Sequence, residues 1–128
     1  MRRFRRLHPG HESREAAAQV AAWKYPRAIR DDEKIWGCWY RYGPDCITWL
    51  IYTTEDLTHA SVHVAVPEEA KGYWFSRRWA IGVEVLAESL GVEVLEASDC
   101  DDCHIVARYM PRLGWTLGGD DTWLKVLD

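Results

Sequence analysis

One short pattern in the sequence has the spacing of a prosthetic-group site, Cys100-Asp101-Asp102-Cys103-His104. It matches C-x-x-C-H, in which two thiols attach haem and the histidine becomes an axial iron ligand. Covalent haem attachment needs an exported chain, but residues 7–12 include two histidines, a proline and a glutamate where a secretory signal needs an apolar stretch. The acidic pair between the thiols and the strand-like middle of the sequence also argue against a haem protein.

The other two cysteines, Cys38 and Cys46, do not complete a zinc site. They precede the C-x-x-C pair by more than fifty residues and have seven residues between them, a spacing unlike that of a zinc ribbon or finger. Without an export signal, the thiols are expected to stay reduced. The sequence therefore favours small apolar thiols in core positions and a helix that begins at Asp101 or Asp102, and it predicts no metal site.

His63 is the residue best suited to accept a proton. Residues 60–66 alternate like a strand, with Val62, Val64 and Val66 on one face and His63 on the other. An imidazole titrates at roughly pH 6.5, so it can take a proton from a substrate directly or through water. Glu55 is a weaker second candidate, and His63 can equally be an ordinary strand residue with satisfied hydrogen bonds.

The elements that must position these residues alternate between strand and helix patterns. Ser13 is a plausible N-cap for the first helix, and Gly43-Pro44-Asp45 is typical of a hairpin turn. Pro111 should shorten or bend the last helix, because it lacks a backbone amide. The predicted strands are 4–7, 35–42, 47–53, 60–66, 92–97, 115–117 and 122–127, and the predicted helices are 14–23, 27–33, 75–90 and 101–113. This order predicts a single α/β domain over residues 1–128.

The order and two local motifs resemble those of the GNAT superfamily of N-acetyltransferases. The first motif is the segment 62–74, VHVAVPEEAKGYW, which looks like the family's fourth strand and its pyrophosphate loop. Successive backbone N–H groups in such a loop, together with the open N-terminus of the next helix, bind anionic phosphates. The string Lys71-Gly72-Tyr73-Trp74, with a following Ser76, is similar to the basic-Gly-basic-Trp string of short phage-encoded members.

This resemblance implies a fold and a cofactor. The fold is a GNAT-like mixed, mostly antiparallel sheet of six to seven strands flanked by helices. The cofactor is acetyl-CoA, and the residues that the motif assigns to its binding are Val64, Ala65, Val66, Lys71, Gly72, Tyr73, Trp74 and Ser76.

The second motif is Val94-Leu95-Glu96-Ala97 followed by residues 104–115. It looks like the family's fifth strand, fourth helix and closing Leu-Gly-aromatic turn. Family members often place in this helix a tyrosine that reprotonates the departing CoA thiolate. Tyr109 is the nearest candidate, one position before the expected slot, which Met110 fills, while Cys103 stands where an asparagine is common. Tyr109 and His63 are thus the candidate catalytic acid and base.

The function that the resemblance implies is acetyl-CoA-dependent acetylation of a primary amine, on a small molecule or a protein. The chain also contains eight tryptophans, and tryptophan is enriched among interface anchors. Trp36, Trp39 and Trp49, assigned to one predicted hairpin, are therefore candidates for a protein-contact surface. The alternative function is a catalytically silent GNAT-fold protein with a structural or interaction role, for example as a phage virion component.

Charge and hydropathy argue against two other classes of function. Residues 1–30 carry eight basic and two acidic side chains, but residues 31–128 carry eight and eighteen, a balance that disfavours nucleic acid as the main partner. The longest stretch without a charged residue is 57–67, eleven residues, whereas a membrane-spanning helix needs about 20. We therefore expect a cytoplasmic protein, in the virion or host cytoplasm if phage-encoded.

Overall fold

The computed structural model describes residues 3–71, 75–98, 108–119 and 122–127. Within these ranges the helices are α1 (His11–Ala22), α2 (Asp31–Trp36) and α3 (Arg77–Ser89). The strands are β1 (Phe4–Arg6), β2 (Cys38–Tyr42), β3 (Ile47–Tyr52), β4 (His59–Ala65), β5 (Val94–Ser98), β6 (Thr116–Leu117) and β7 (Thr122–Val126).

The strands form one sheet in the order β1-β2-β3-β4-β5-β7-β6. The pairs β1 with β2, β2 with β3, β5 with β7 and β6 with β7 are antiparallel, and β4 pairs with β5 in parallel. The predicted mixed, mostly antiparallel α/β architecture is confirmed. In the described part of the chain, no helix is both long enough and apolar enough to cross a membrane.

The chain divides into two compact units. The first unit comprises Met1–Ile51 and His63–Lys71, and the second comprises Tyr52–Val62 and Gly72–Asp128. Strand β4 therefore begins in the second unit and ends in the first. The single domain expected over residues 1–128 stays a prediction.

The core of the first unit packs α1 on the β1–β3 sheet. The alanine-rich sequence of α1 places its small side chains on one face, and Ala16, Ala17 and Val20 are buried there. Trp39 of β2 pairs directly opposite Trp49 of β3, and both side chains are at most 1 % exposed. The unit is thus held together by large indole rings that pack against a helix face of small residues.

The second unit combines α3 with the strands β5, β7 and β6 and with the first four residues of β4, 59–62. The helical spacing of Trp79, Val83 and Ala87 buries all three side chains. Lys125 of β7 pairs with Glu84 of α3 at 2.9 Å, and its amine also donates to the carbonyl of Leu113. This lysine therefore links β7 to α3 and to the segment that contains Leu113.

Two helix boundaries differ from the sequence prediction. Helix α1 begins at His11, so Ser13 is its third residue and the prediction of Ser13 as the N-cap is wrong. Its buried hydroxyl accepts from the Gly10 amide at 3.0 Å and donates to the Lys34 carbonyl at 2.5 Å. Ser13 thus joins α1 to the next helix, an interaction that local sequence patterns do not reveal.

The second helix lies further along the chain than predicted. Helix α2 occupies Asp31–Trp36 in place of 27–33, and β2 starts only at Cys38. Three acidic residues in the first turn of α2 favour a helix start at Asp31, because they interact well with the positive end of the helix dipole. The isoleucine and tryptophan at 35 and 36 therefore end a helix, although their residue types suggested a strand.

The last predicted helix lies largely outside the described residues, as do Cys100, Cys103 and His104. Its described end is a 3-10 helix at Met110–Leu113. Pro111 occupies the first turn of this short helix, where its missing amide costs no hydrogen bond. Gly114 then ends the helix with a φ of 89°, a left-handed conformation that glycine adopts without strain.

Candidate active site

His63, the candidate base, is half-buried in β4 and forms part of a stack of aromatic rings. Its imidazole stacks on the indole of Trp49, with ring centroids 5.4 Å apart, and Trp49 stacks on Trp39 at 4.5 Å. Burial, together with the positive charges of Arg27 and Arg30, lowers the pKa of His63 to about 4, although Glu33 acts in the opposite direction. At neutral pH the imidazole is therefore uncharged.

Glu33 is the organising residue of this region, and the sequence analysis did not single it out. Its side chain is 1 % exposed, and Arg27 donates to its two carboxylate oxygens at 2.6 and 3.0 Å. Trp49 Nε1 donates to the same carboxylate at 3.2 Å, and Trp39 Nε1 donates to the Glu33 carbonyl at 2.7 Å. Burial alone would raise the pKa of Glu33, but the hydrogen bonds from Arg27 and Trp49 outweigh it and hold the pKa at about 2.

The tryptophans of the predicted contact surface are mostly interior residues. Trp39 and Trp49 are buried, and only Trp36, which is 78 % exposed, lies at the surface. Trp36 belongs to α2, so the hairpin of β2 and β3 does not present the three tryptophans that the sequence assigned to it. The assignment failed because large hydrophobic residues on a buried strand and on an exposed surface have the same sequence signature.

The segment after β4 contains the residues assigned to cofactor binding. Val64 is half-buried, and Ala65 and Val66 are buried. A 3-10 helix follows at Glu68–Ala70, and the Lys71 amine pairs with Glu68 at 2.9 Å. Gly72, Tyr73 and Trp74 lie outside the described residues.

The N-terminus of α3 carries an unusual concentration of positive charge. Ser76 is its N-cap, and its hydroxyl accepts from the Trp79 amide at 3.1 Å. Arg77 and Arg78 occupy the first turn, both exposed, and this turn contains no acidic residue. Helix N-termini already carry partial positive charge, so two arginines there cost stability unless an anion binds. Arg77 and Arg78 are not among the residues that the motif assigns, because the motif is defined by the loop that precedes this helix.

Tyr109, the candidate acid, lies in the second unit just before the 3-10 helix at Met110–Leu113. Its side chain is 41 % exposed, whereas Met110 is buried. The guanidinium carbons of Arg108 and Arg112 lie 5.9 and 6.0 Å from the centre of the tyrosine ring, within cation–π range. Of the two neighbours, Tyr109 is thus the one whose side chain reaches solvent, although it is one position away from the expected slot.

Two of the four cysteines lie in the described part of the chain. Cys38 and Cys46 are buried free thiols, and burial raises the pKa of Cys38. Across residues 3–71, 75–98, 108–119 and 122–127, no three histidine, cysteine, aspartate or glutamate side chains come close enough together to hold a metal ion.

No protein-family model and no curated protein matches the sequence. Solved structures match it over almost its whole length. One provisionally identified as a phosphinothricin N-acetyltransferase has a TM-score of 0.73 at 13 % identity and covers 100 % of this chain and 99 % of its own. A GNAT-family acetyltransferase from Staphylococcus aureus has a TM-score of 0.62 at 8 % identity, with coverages of 98 % and 100 %. The N-acetylglutamate synthase from Neisseria gonorrhoeae, complexed with coenzyme A and N-acetyl-glutamate, has a TM-score of 0.67 at 12 % identity and covers 100 % of this chain and 35 % of that chain.

The chain has the GNAT fold. This confirms the architecture that the resemblance implied. The described residues also fit an anionic cofactor on this GNAT fold, because the backbone N–H groups of Arg77 and Arg78 have no hydrogen-bond partner among them. Two amides without a partner among the described residues, beside two guanidiniums, are the kind of donor set that binds a diphosphate.

Proposed function

We propose that this chain is an acetyl-CoA-dependent N-acetyltransferase that acts on the primary amine of a small molecule in the cytoplasm. The observation that carries the proposal is the N-terminus of α3 on a GNAT fold, where the amides of Arg77 and Arg78 have no partner among the described residues and both side chains are exposed cations. The N-acetylglutamate synthase and the phosphinothricin N-acetyltransferase among the similar structures carry names of small-molecule enzymes, which favours a small acceptor over a protein.

In this proposal the cofactor's diphosphate binds to the α3 N-terminus and the loop before it. Arg77 and Arg78 are added to the residues that the motif assigned: Val64, Ala65, Val66, Lys71, Gly72, Tyr73, Trp74 and Ser76. Ser76 contributes by capping α3, because its hydroxyl already accepts from Trp79. When bound, acetyl-CoA supplies an activated thioester, and the protein's own residues bind it, orient the amine and move protons.

His63 is proposed to receive the proton that the amine nitrogen releases as its bond to the acetyl carbon forms. Its imidazole is uncharged above roughly pH 5, since its pKa is about 4, so it is a weak base that takes up the proton only once the new N–C bond has made the nitrogen acidic. A base of such low pKa cannot strip a free alkylammonium ion, which holds its proton far more tightly. The acceptor must accordingly arrive as the neutral amine. Tyr109, exposed in the second unit, is proposed to protonate the leaving thiolate.

The proposal is tested by measuring the melting temperature with and without acetyl-CoA. At a concentration about 100 times the Kd, a ligand that binds only the folded state stabilises it by about 2.7 kcal/mol, which raises the Tm of a domain of this size by about 10 °C. The variant Arg77→Glu/Arg78→Glu should lose this shift. The same variant should be more stable than the wild type without ligand, by about 1 kcal/mol, because it places acids at the positive end of the dipole.

A charge reversal on another helix, Arg14→Glu, is the matched control and should keep the full shift. General damage to the fold would lower the stability of the Arg77→Glu/Arg78→Glu variant without ligand. A variant that is more stable without ligand but loses the shift caused by acetyl-CoA has therefore lost the binding site and not the fold. If acetyl-CoA leaves the wild-type Tm unchanged at millimolar concentration, the proposed function is wrong.

The alternative, a catalytically silent GNAT-fold protein with a structural or virion role, is favoured by one observation. Trp36 is 78 % exposed at the end of α2, beside Ile35 at 39 %, and exposed tryptophans often anchor protein contacts. This alternative predicts no stabilisation by acetyl-CoA, so the same melting experiment separates the two functions.

A further inference from the structure

The side chains around Glu33 divide into a buried anion and two exposed cations. The Glu33 side chain is 1 % exposed, whereas those of Arg27 and Arg30 are 41 % and 66 % exposed. A ligand arriving from solvent therefore meets the guanidinium groups and cannot reach the carboxylate. The surface above this buried acid presents two guanidinium groups, with the exposed carboxylate of Asp32 beside Arg30.

Arg30 has unused hydrogen-bonding capacity at this surface. Its Nε lies 3.3 Å from the Glu33 carboxylate and 3.2 Å from that of Asp32, which is 62 % exposed. Its two terminal nitrogens have no hydrogen-bond partner among the described residues. Arg27, in contrast, uses both terminal nitrogens on Glu33. Arg30 thus presents to solvent the planar pair of donors that binds an anionic oxygen group.

The same cluster contains the proposed base. Trp49 donates to Glu33 through its indole nitrogen and stacks on the ring of His63. Arg27 and Arg30 both disfavour the protonated imidazole and Glu33 favours it, so the two arginines contribute a positive field at His63. Such a field repels an acceptor that carries only positive charge and attracts one that also carries an anion.

We propose that the acceptor is an amine that carries a second, anionic group, a carboxylate or a phosphate, and that Arg30 binds this group while the amine faces His63. This inference rests on the proposed N-acetyltransferase function and specifies its substrate class. Arg30 then determines specificity, because its donors bind the anionic group directly, whereas with a neutral or purely cationic amine they bond only to water.

The test compares acceptors that differ only in the anion. β-Alanine and ethylamine differ by a carboxylate, and 2-aminoethyl phosphate and ethanolamine differ by a phosphate. Longer homologues of each pair cover other separations between amine and anion. The kcat/KM for acetylation is measured with wild-type protein, Arg30→Gln and the control Arg14→Gln. Arg30 is the residue to change, because replacing Arg27 would leave the buried Glu33 without its main partner.

We expect the anionic member of at least one pair to be favoured by about tenfold or more in kcat/KM, chiefly through a lower KM. Arg30→Gln should remove most of this preference, and Arg14→Gln should preserve it. A preference within the carboxylate pair or within the phosphate pair identifies the anion. If acetyl-CoA stabilises the chain but no anionic acceptor is favoured, this inference fails while cofactor binding stands. The same conclusion holds if neither member of any pair is acetylated. If acetyl-CoA does not stabilise the chain, the proposed function fails first.

Discussion

Replacing the buried carboxylate of Glu33 by an amide should be among the most damaging conservative substitutions in this chain. Glu33→Gln keeps the shape of the side chain but removes the charge and one acceptor oxygen. The new NH2 group replaces the oxygen that accepts from Arg27 and Trp49. These two N–H donors then face another donor and lack an acceptor. The variant therefore leaves polar groups unsatisfied inside the first unit.

The size of the effect follows from the exposure of the two partners. Removing one member of a buried ion pair costs about 3–5 kcal/mol. The Arg27 side chain is 41 % exposed, so its guanidinium regains some hydration and the lower end of that range, about 3 kcal/mol, is expected. Asp31→Asn is the matched control in the same helix turn. Asp31 is 92 % exposed and pairs with Lys34 at 3.2 Å, so its loss should cost at most about 1 kcal/mol, including the dipole effect.

The assay is equilibrium unfolding in urea at pH 7, followed by tryptophan fluorescence, because Trp39 and Trp49 are both hydrogen-bonded to Glu33. Both variants remove one negative charge from the first turn of α2, so the difference between them isolates the effect of burial. Equal losses of unfolding free energy for the two variants would refute the reasoning.

Three further predictions concern the same structural features. In urea titrations, lowering the pH from 7 to 5 should destabilise the wild type by about 2 kcal/mol more than it destabilises His63→Phe. The imidazole of the unfolded chain gains a proton at a pKa near 6.5, whereas that of the folded chain, with a pKa of about 4, does not. If the difference in unfolding free energy between wild type and variant is the same at pH 7 and pH 5, the assigned burial of His63 is wrong. Ser76→Ala should lower the unfolding free energy by about 1 kcal/mol through loss of the α3 cap, whereas Ser89→Ala near the exposed C-terminal end of the helix should cost less than half as much. Gly37→Ala should lower the unfolding free energy by about 1–3 kcal/mol, because the new methyl group would collide with the Glu33 carbonyl and lie 2.9 Å from Trp39 Nε1. An unchanged unfolding free energy in the same assay would mean that the Trp39 hydrogen bond to that carbonyl is dispensable.

Much of the fold was predictable because its signals are local. The Gly43-Pro44-Asp45 turn between two β-branched and aromatic runs predicts the β2–β3 hairpin, and the spacing of Trp79 and Val83 predicts α3. Strand boundaries were correct to within one to three residues. The errors occurred where non-local contacts decide. The Ser13 hydroxyl bonds to Lys34, twenty-one residues away, which no local pattern encodes.

The candidate site was only partly predictable. His63 was found because a histidine on a strand of valines is conspicuous. Glu33 was missed because it lies in a run of charged residues, Asp31 to Lys34, that resembles a solvated helix face. Its burial depends on Arg27 and on two tryptophans that arrive from β2 and β3, so only the folded chain reveals it. The catalytic roles of His63 and Tyr109 stay predictions, as do the roles of the assigned cofactor residues.

The most direct test of the central claim is a crystal structure of this chain grown with acetyl-CoA. The account predicts one cofactor molecule whose diphosphate oxygens accept hydrogen bonds from the backbone N–H groups of Arg77 and Arg78. A diphosphate bound elsewhere, or a saturating concentration of acetyl-CoA that leaves no cofactor in the crystal, would contradict it.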